Sequence, residues 1–145
     1  MYKHILIATD GSRLSETAIN HGVALAKAVR ANVTGITVFP TFRAFATEPM
    51  MVVHTPEQYQ KDCDSVGQDY LAVVQKAAAA DGVACEVVHV IHDRPYEAII
   101  DAATARRCDL IVMASHGRRG VAALVLGSET TKVLTHSKIP VLVCR

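Results

Sequence analysis

Short apolar runs alternate with longer stretches whose apolar residues recur every three to four positions. The first run, HILIATDG (His4–Gly11), is nearly continuous and ends in Asp-Gly, as expected of a strand buried on both faces of a parallel sheet. SETAINHGVALAKAVRAN follows with Leu14, Ala18, Leu25 and Val29 on one helical stripe. Ser15 is suited to cap this helix, and Glu16 suits its positive first turn. NVTGITVF then reads as a second strand, closed by Pro40.

From Pro40 to Pro56 the periodicity lapses over more residues than a typical connection has, predicting a mobile flap or a local excursion. Thr55-Pro56-Glu57 opens a long helix with Tyr59, Cys63, Val66, Tyr70, Val73 and Ala77 on its apolar face, stopped by Asp81-Gly82. VACEVVHVI is a third strand. PYEAIIDAATARR is a helix begun by Pro95, with Tyr96, Ile99, Ile100 and Ala103 inward. CDLIVMASHG is a fourth strand, SETTKVLTHS a helix capped by Ser128, and IPVLVCR a fifth strand. Strands alternating with helices specify one α/β domain over residues 1–145, a three-layer α/β/α arrangement around a five-stranded parallel sheet.

Composition narrows the function without choosing it. The chain has 145 residues, 15 Lys+Arg against 14 Asp+Glu, and a net charge of +1, so no basic surface for nucleic acid or an anionic membrane is expected. No apolar run approaches the ~18 residues of a membrane span. The N-terminal apolar stretch ends at Asp10, where a signal peptide would need small residues, which points to a cytoplasmic protein. Four cysteines without a CxxC pair read as reduced core residues, and the seven histidines form no metal motif.

The candidate chemistry lies where ligands collect in open α/β sheets, outside the carboxyl ends of the strands. Thr9-Asp10-Gly11-Ser12 leaves strand one there, Val38-Phe39-Pro40 leaves strand two, and Ala114-Ser115-His116-Gly117 leaves strand four. Gly117 and Gly120 permit close approach of backbone N–H groups to an anion. Gly127-Ser128 opens a helix whose free N–H groups favour phosphate. Arg118 and Arg119 can add charge, and Ser128 and Thr130 hydroxyl donors. Each part also has a structural reading: a turn, a solvated pair of arginines, a helix cap. Neither GxxxxGK[ST] nor GxGxxG after the first strand is present.

ILIATDGS, GVALAKAVRANVTGITVF, DLIVMASHGRRG and GSETTKVLTHSKIPVLVCR together resemble the universal stress protein family from end to end. The family's nucleotide signature, G-x-x-G, nine residues, then G-[ST], is matched by Ala114-Ser-His-Gly117, Arg118 to Leu126, and Gly127-Ser128, with alanine in place of the first glycine. The resemblance implies a Rossmann-like fold of the adenine nucleotide alpha hydrolase type, and ATP as ligand, with or without Mg²⁺. By position, Ala8, Thr9 and Asp10 would border adenosine, and Val38 would meet adenine through its backbone. Met113, Ala114 and His116 would line the base and ribose. Gly117, Gly127, Ser128 and Thr130 would hold phosphates, with Arg118 adding charge. Glu129, in the first turn of the phosphate-binding helix, either points away or helps to hold Mg²⁺.

The resemblance further implies a homodimer paired through the last strand, Pro140 to Cys144, a short apolar edge that pairing would cover. The expected function is that of a dimeric, nucleotide-dependent sensor acting on a protein partner in a stress response. Two alternatives stay open: a slow ATP hydrolase or phosphotransferase using Asp10 and His116, and a structural dimer that binds no nucleotide. The structural dimer predicts that Gly117→Val is nearly silent.

Overall fold

The computed structural model describes residues 1–43, 55–118 and 125–145. Among these described residues, five strands alternate with four helices: β1 (His4–Ala8), α1 (Arg13–Val29), β2 (Asn32–Phe39), α2 (Pro56–Ala80), β3 (Cys85–Ile91), α3 (Pro95–Ala105), β4 (Leu110–Ala114), α4 (Ser128–His136) and β5 (Val141–Cys144). The expected break from Pro40 to Pro56 falls largely on residues 44–54, outside the described residues. So do Arg119, Gly120 and the first part of the apolar run after them.

Every strand pairing is parallel, and the order across the sheet is β3-β2-β1-β4-β5. β1 is central, its Ile5 facing Val33 of β2 on one side and Leu110 of β4 on the other. The chain first builds outward from β1 to β3, then crosses back to β4 and builds outward to β5. Crossovers of one hand require the helices to change face when that direction reverses. They do: α1 and α2 pack with Ile5, Ile7, Val33 and Val112, whereas α3 and α4 pack with Leu6, Ile36 and Ile111. Successive residues of β1 and β4 therefore serve different cores, which explains why these strands read as unbroken apolar runs.

The helices lie where their periodicity places them, but their buried faces are turned from the expected stripes. On α1 the buried residues are Ser15, Ala18, Ile19, Gly22, Val23 and Ala26, and Leu14, Leu25 and Val29 form the margin. Small residues set this orientation. A Cβ at Gly22 would lie 2.7 Å from Ile7 Cδ1, so the helix approaches the sheet where it has least side chain. On α2 the expected stripe holds through Tyr59 and Cys63, then slips one residue to Gly67, Leu71, Val74 and Ala78, leaving Val73 39% exposed. Gly67 fits beneath His89 and Phe39, where its Cβ would come within 3.2 Å of each. On α3 the buried face is Ala98, Ile99, Ala102 and Ala103, with Tyr96 and Ile100 at its edge.

Two expected caps also move. Ser12, not Ser15, caps α1, its hydroxyl accepting from the Ser15 N–H at 3.2 Å. Gly127, not Ser128, is the N-cap of α4 and offers no side-chain bond, so Ser128 is that helix's first residue. Thr55 caps α2 as expected, with Pro56 behind it.

All four cysteines are free. Cys63, Cys108 and Cys144 are buried, and burial pushes the Cys108 thiol up to about 11. No described helix is long and apolar enough to cross a membrane.

Replacing the α1 cap tests this assignment. Ser12→Ala is expected to lower unfolding free energy by about 1 kcal/mol in urea titrations, whereas Ser12→Gly loses only a few tenths. Equal losses in the two variants would exclude capping as the role of the hydroxyl.

Candidate functional site

The sheet order reverses between β1 and β4, so the chain leaves these neighbours toward opposite sides and a crevice opens outside their carboxyl ends. Ala8-Thr9-Asp10 forms one wall and Ala114 to Arg118 the other. The Gly127-Ser128 element returns to the same place, because the Gly127 N–H donates to the Ser115 carbonyl at 2.7 Å.

The β1 wall is organised by a directed chain of hydrogen bonds. The Gly11 N–H donates to Thr9 Oγ1 at 3.2 Å, and the Ser15 hydroxyl donates to the Ser12 carbonyl at 2.7 Å. Thr9 and Ser15 hydroxyls lie 3.0 Å apart, and Ser15 has already given its one proton, so Thr9 is the donor between them. Both residues are buried. Their bonds define the turn that carries Asp10 to the rim. Ser15, expected as a cap, is instead a buried member of this chain.

Asp10 bridges the crevice. Its Oδ1 accepts from the Ser12 N–H at 3.0 Å, and its Oδ2 from the Arg118 N–H, on the opposite wall, at 2.9 Å. Gly117 leaves room for this contact, since a Cβ there would stand 2.5 Å from Asp10 Oδ2. A side chain at Gly117 therefore requires the Asp10 carboxylate to move, whether or not nucleotide binds.

On the β4 wall, Met113 and Ala114 point into opposite cores, so they offer backbone rather than side chain to the crevice. The Ser115 N–H donates to the Cys144 carbonyl at 2.7 Å, and His116 Nδ1 lies 3.2 Å from Ser115 Oγ. Gly127 allows α4 to come close: a Cβ would lie 3.1 Å from His116 Cα. Thr130 is buried and its hydroxyl donates to the Ala114 carbonyl at 2.9 Å. It fastens α4 to β4, and its hydroxyl is not free for an anion. Ser128, at the start of α4, is exposed.

Glu129 points away from the crevice. Its Oε2 accepts from the Tyr96 N–H at 2.9 Å, and its Oε1 from Lys132 Nζ at 3.2 Å. Arg94, the N-cap of α3, supplies no side-chain cap, and Glu129 does so from the neighbouring helix. The carboxylate thus stabilises the start of α3 without confronting an anion at the start of α4. Val38 lies one residue before the end of β2, opposite Val90, and is partly buried.

The universal stress protein family model matches residues 1–145. The chain belongs to the universal stress protein family. A universal stress protein of Thermus aquaticus is 32% identical over 145 residues, covering all of both chains. Among solved structures, a universal stress protein from Lactobacillus plantarum matches with a TM-score of 0.80 and 23% identity, over 99% of this chain and 98% of that one. Another universal stress protein, from Archaeoglobus fulgidus, was solved in complex with dAMP; it matches at 0.70 and 16%, over 99% and 98% of the two chains. A further one was solved in complex with cAMP and matches at 0.69 and 22%, over 99% and 97%. These structural likenesses are of fold.

Sequence reasoning missed Tyr70 in this universal stress protein. Its periodicity assigns it to the α2 core stripe, yet its ring covers Gly11, where a Cβ would lie 2.3 Å from Tyr70 Cε1. Gly11 has φ +76°, a conformation that already favours glycine. No spacing rule connects a residue of α2 to the β1 turn.

The role of Glu129 is separable from nucleotide chemistry. Glu129→Gln keeps an acceptor for the Tyr96 N–H and is expected to remain near wild-type stability, while Glu129→Ala loses about 1 kcal/mol in denaturant unfolding. Wild-type stability in the alanine variant would refute the capping role.

Proposed function

We propose that this universal stress protein binds an adenine nucleotide in the β1–β4 crevice, with ATP, with or without Mg²⁺, as the preferred form. The observation that carries the reading is the convergence of Gly117 and Gly127-Ser128 on that crevice, beside a helix start that no side chain caps. The first N–H groups of an α-helix have no intrahelical partner and concentrate partial positive charge, which suits a phosphate. The dAMP and cAMP complexes of two fold relatives support an adenine nucleotide.

On this reading, the Thr9–Asp10 turn and the backbone of Val38 border the adenosine. Met113 and Ala114 contribute main chain, and His116 stands at the ribose side. Gly117, Gly127, Ser128 and the backbone of Thr130 hold phosphates, and Arg118 supplies charge. Glu129 leaves the phosphate position free by pairing with Tyr96 and Lys132.

The protein then acts as a dimeric cytoplasmic sensor whose occupancy a partner reads. β5 is an edge strand with Leu142 39% exposed, and the neighbouring helix presents Leu134 at 42%. Antiparallel pairing of two such edges about a two-fold axis would join the sheets and cover those residues.

Native mass spectrometry of gently purified protein is expected to show dimers carrying ATP-sized mass increments. A protein that stays bare after incubation with ATP-Mg²⁺ would overturn the nucleotide reading. Ser128→Asp separates ligand chemistry from folding: an acid in the first turn of α4 favours the helix by about 0.3–1 kcal/mol. The variant should therefore melt no lower than wild type while losing ATP. Unchanged ATP affinity would place the phosphates elsewhere.

A further inference from the structure

We infer that Tyr70 is a positioning residue for the nucleotide site: it holds the Arg118 guanidinium at the crevice rim, where it selects for ligands with more phosphate. The inference rests on the nucleotide reading above and adds to it a residue outside the glycine signature.

Arg118 is fixed at two points. Its backbone N–H donates to Asp10 Oδ2 at 2.9 Å, and its Cζ lies 5.0 Å from the centroid of the Tyr70 ring. The ring is itself set from the other side. It lies against the Gly11 turn and stacks on Phe39, with centroids 6.2 Å apart and an interplanar angle of 27°. Phe39 is buried with Tyr59 and Cys63 in a small core beneath the first half of α2. A continuous stack therefore runs from that core through Phe39 and Tyr70 to Arg118.

A guanidinium resting on an aromatic face keeps its full charge and leaves its in-plane N–H groups available. Among the described residues, Arg118 has no carboxylate ion-pair partner for its side chain. The Asp10 contact is made by its main chain. Resting the partly buried ring against glycine and phenylalanine thus places this cation beside the Asp10–Gly117 crossing, whereas Lys132 and Arg94 are engaged by Glu129 and Glu97. A cation held at this rim contributes to binding in proportion to the charge of the ligand, and contributes nothing to an uncharged nucleoside.

Calorimetric titration of the full-length protein with adenosine, AMP and ATP tests this, using Tyr70→Leu, Tyr70→Phe, Arg118→Gln and the Tyr70→Leu/Arg118→Gln double variant. Tyr70→Leu and Arg118→Gln should each weaken ATP by about threefold to tenfold and leave adenosine unchanged. Tyr70→Phe keeps the aromatic face and should bind as wild type. The double variant should be no weaker than Arg118→Gln alone, because Tyr70 acts only through that side chain. Arg118→Gln should also flatten the salt dependence of ATP binding.

Equal losses for adenosine and ATP in Tyr70→Leu would show a merely structural role and overturn the inference. So would additive losses in the double variant, or unchanged ATP affinity in Arg118→Gln. A wild-type protein that binds none of the three ligands overturns the nucleotide reading and this inference with it, whereas wild-type binding with indifferent variants overturns the inference alone.

Discussion

The parallel pairing of β1 with β4 is the constraint on which the rest of the site depends. These strands lie at the middle of the sheet, buried by helices on both faces, and the chain leaves them in opposite directions. A crossover helix cannot cover the gap between two strands whose connections diverge, so their carboxyl ends remain accessible above the middle of the sheet. Main-chain groups that enter this gap are positioned by the sheet itself, with little entropy left to lose on binding a ligand.

Close approach is what the surrounding residues have in common. Gly117 makes room for the Asp10 carboxylate, Gly127 brings α4 against His116, and Gly11 accepts the face of Tyr70. At each position a Cβ would meet atoms that the site needs where they are. The small residues of α1 do the same for the core beneath, letting that helix settle over Ile7. Packing and crevice geometry are consequently one problem here: the walls are close because the elements behind them are close.

The two carboxylates near the crevice illustrate how neighbours decide chemistry. Asp10 accepts main-chain N–H groups from both walls and closes the rim across the switch point. Glu129 lies in the first turn of the helix that faces the crevice, yet it serves α3, where Arg94 leaves the first turn without a side-chain acceptor. One acid therefore closes the crevice and the other serves the fold, although each stands within two residues of a glycine, Gly11 for Asp10 and Gly127 for Glu129.

Hydrophobic periodicity was enough to determine the order of strands and helices, the parallel sheet and the edge of the sheet at which a ligand would gather. Those features depend on burial patterns that each segment carries in itself. The spacing of Gly117, Gly127 and Ser128 likewise marked the candidate site, because local backbone freedom and helix starts are legible residue by residue. The turn of α1 toward Ser15 and Gly22, the one-residue slip along α2, and the cap at Ser12 were settled by which side chains could fit against the sheet. The pairing of Glu129 with Tyr96, the engagement of Thr130 by Ala114, and the stack from Phe39 through Tyr70 to Arg118 join residues far apart in sequence. Only the folded chain decides such contacts, because their energies depend on distances and orientations that no single segment contains.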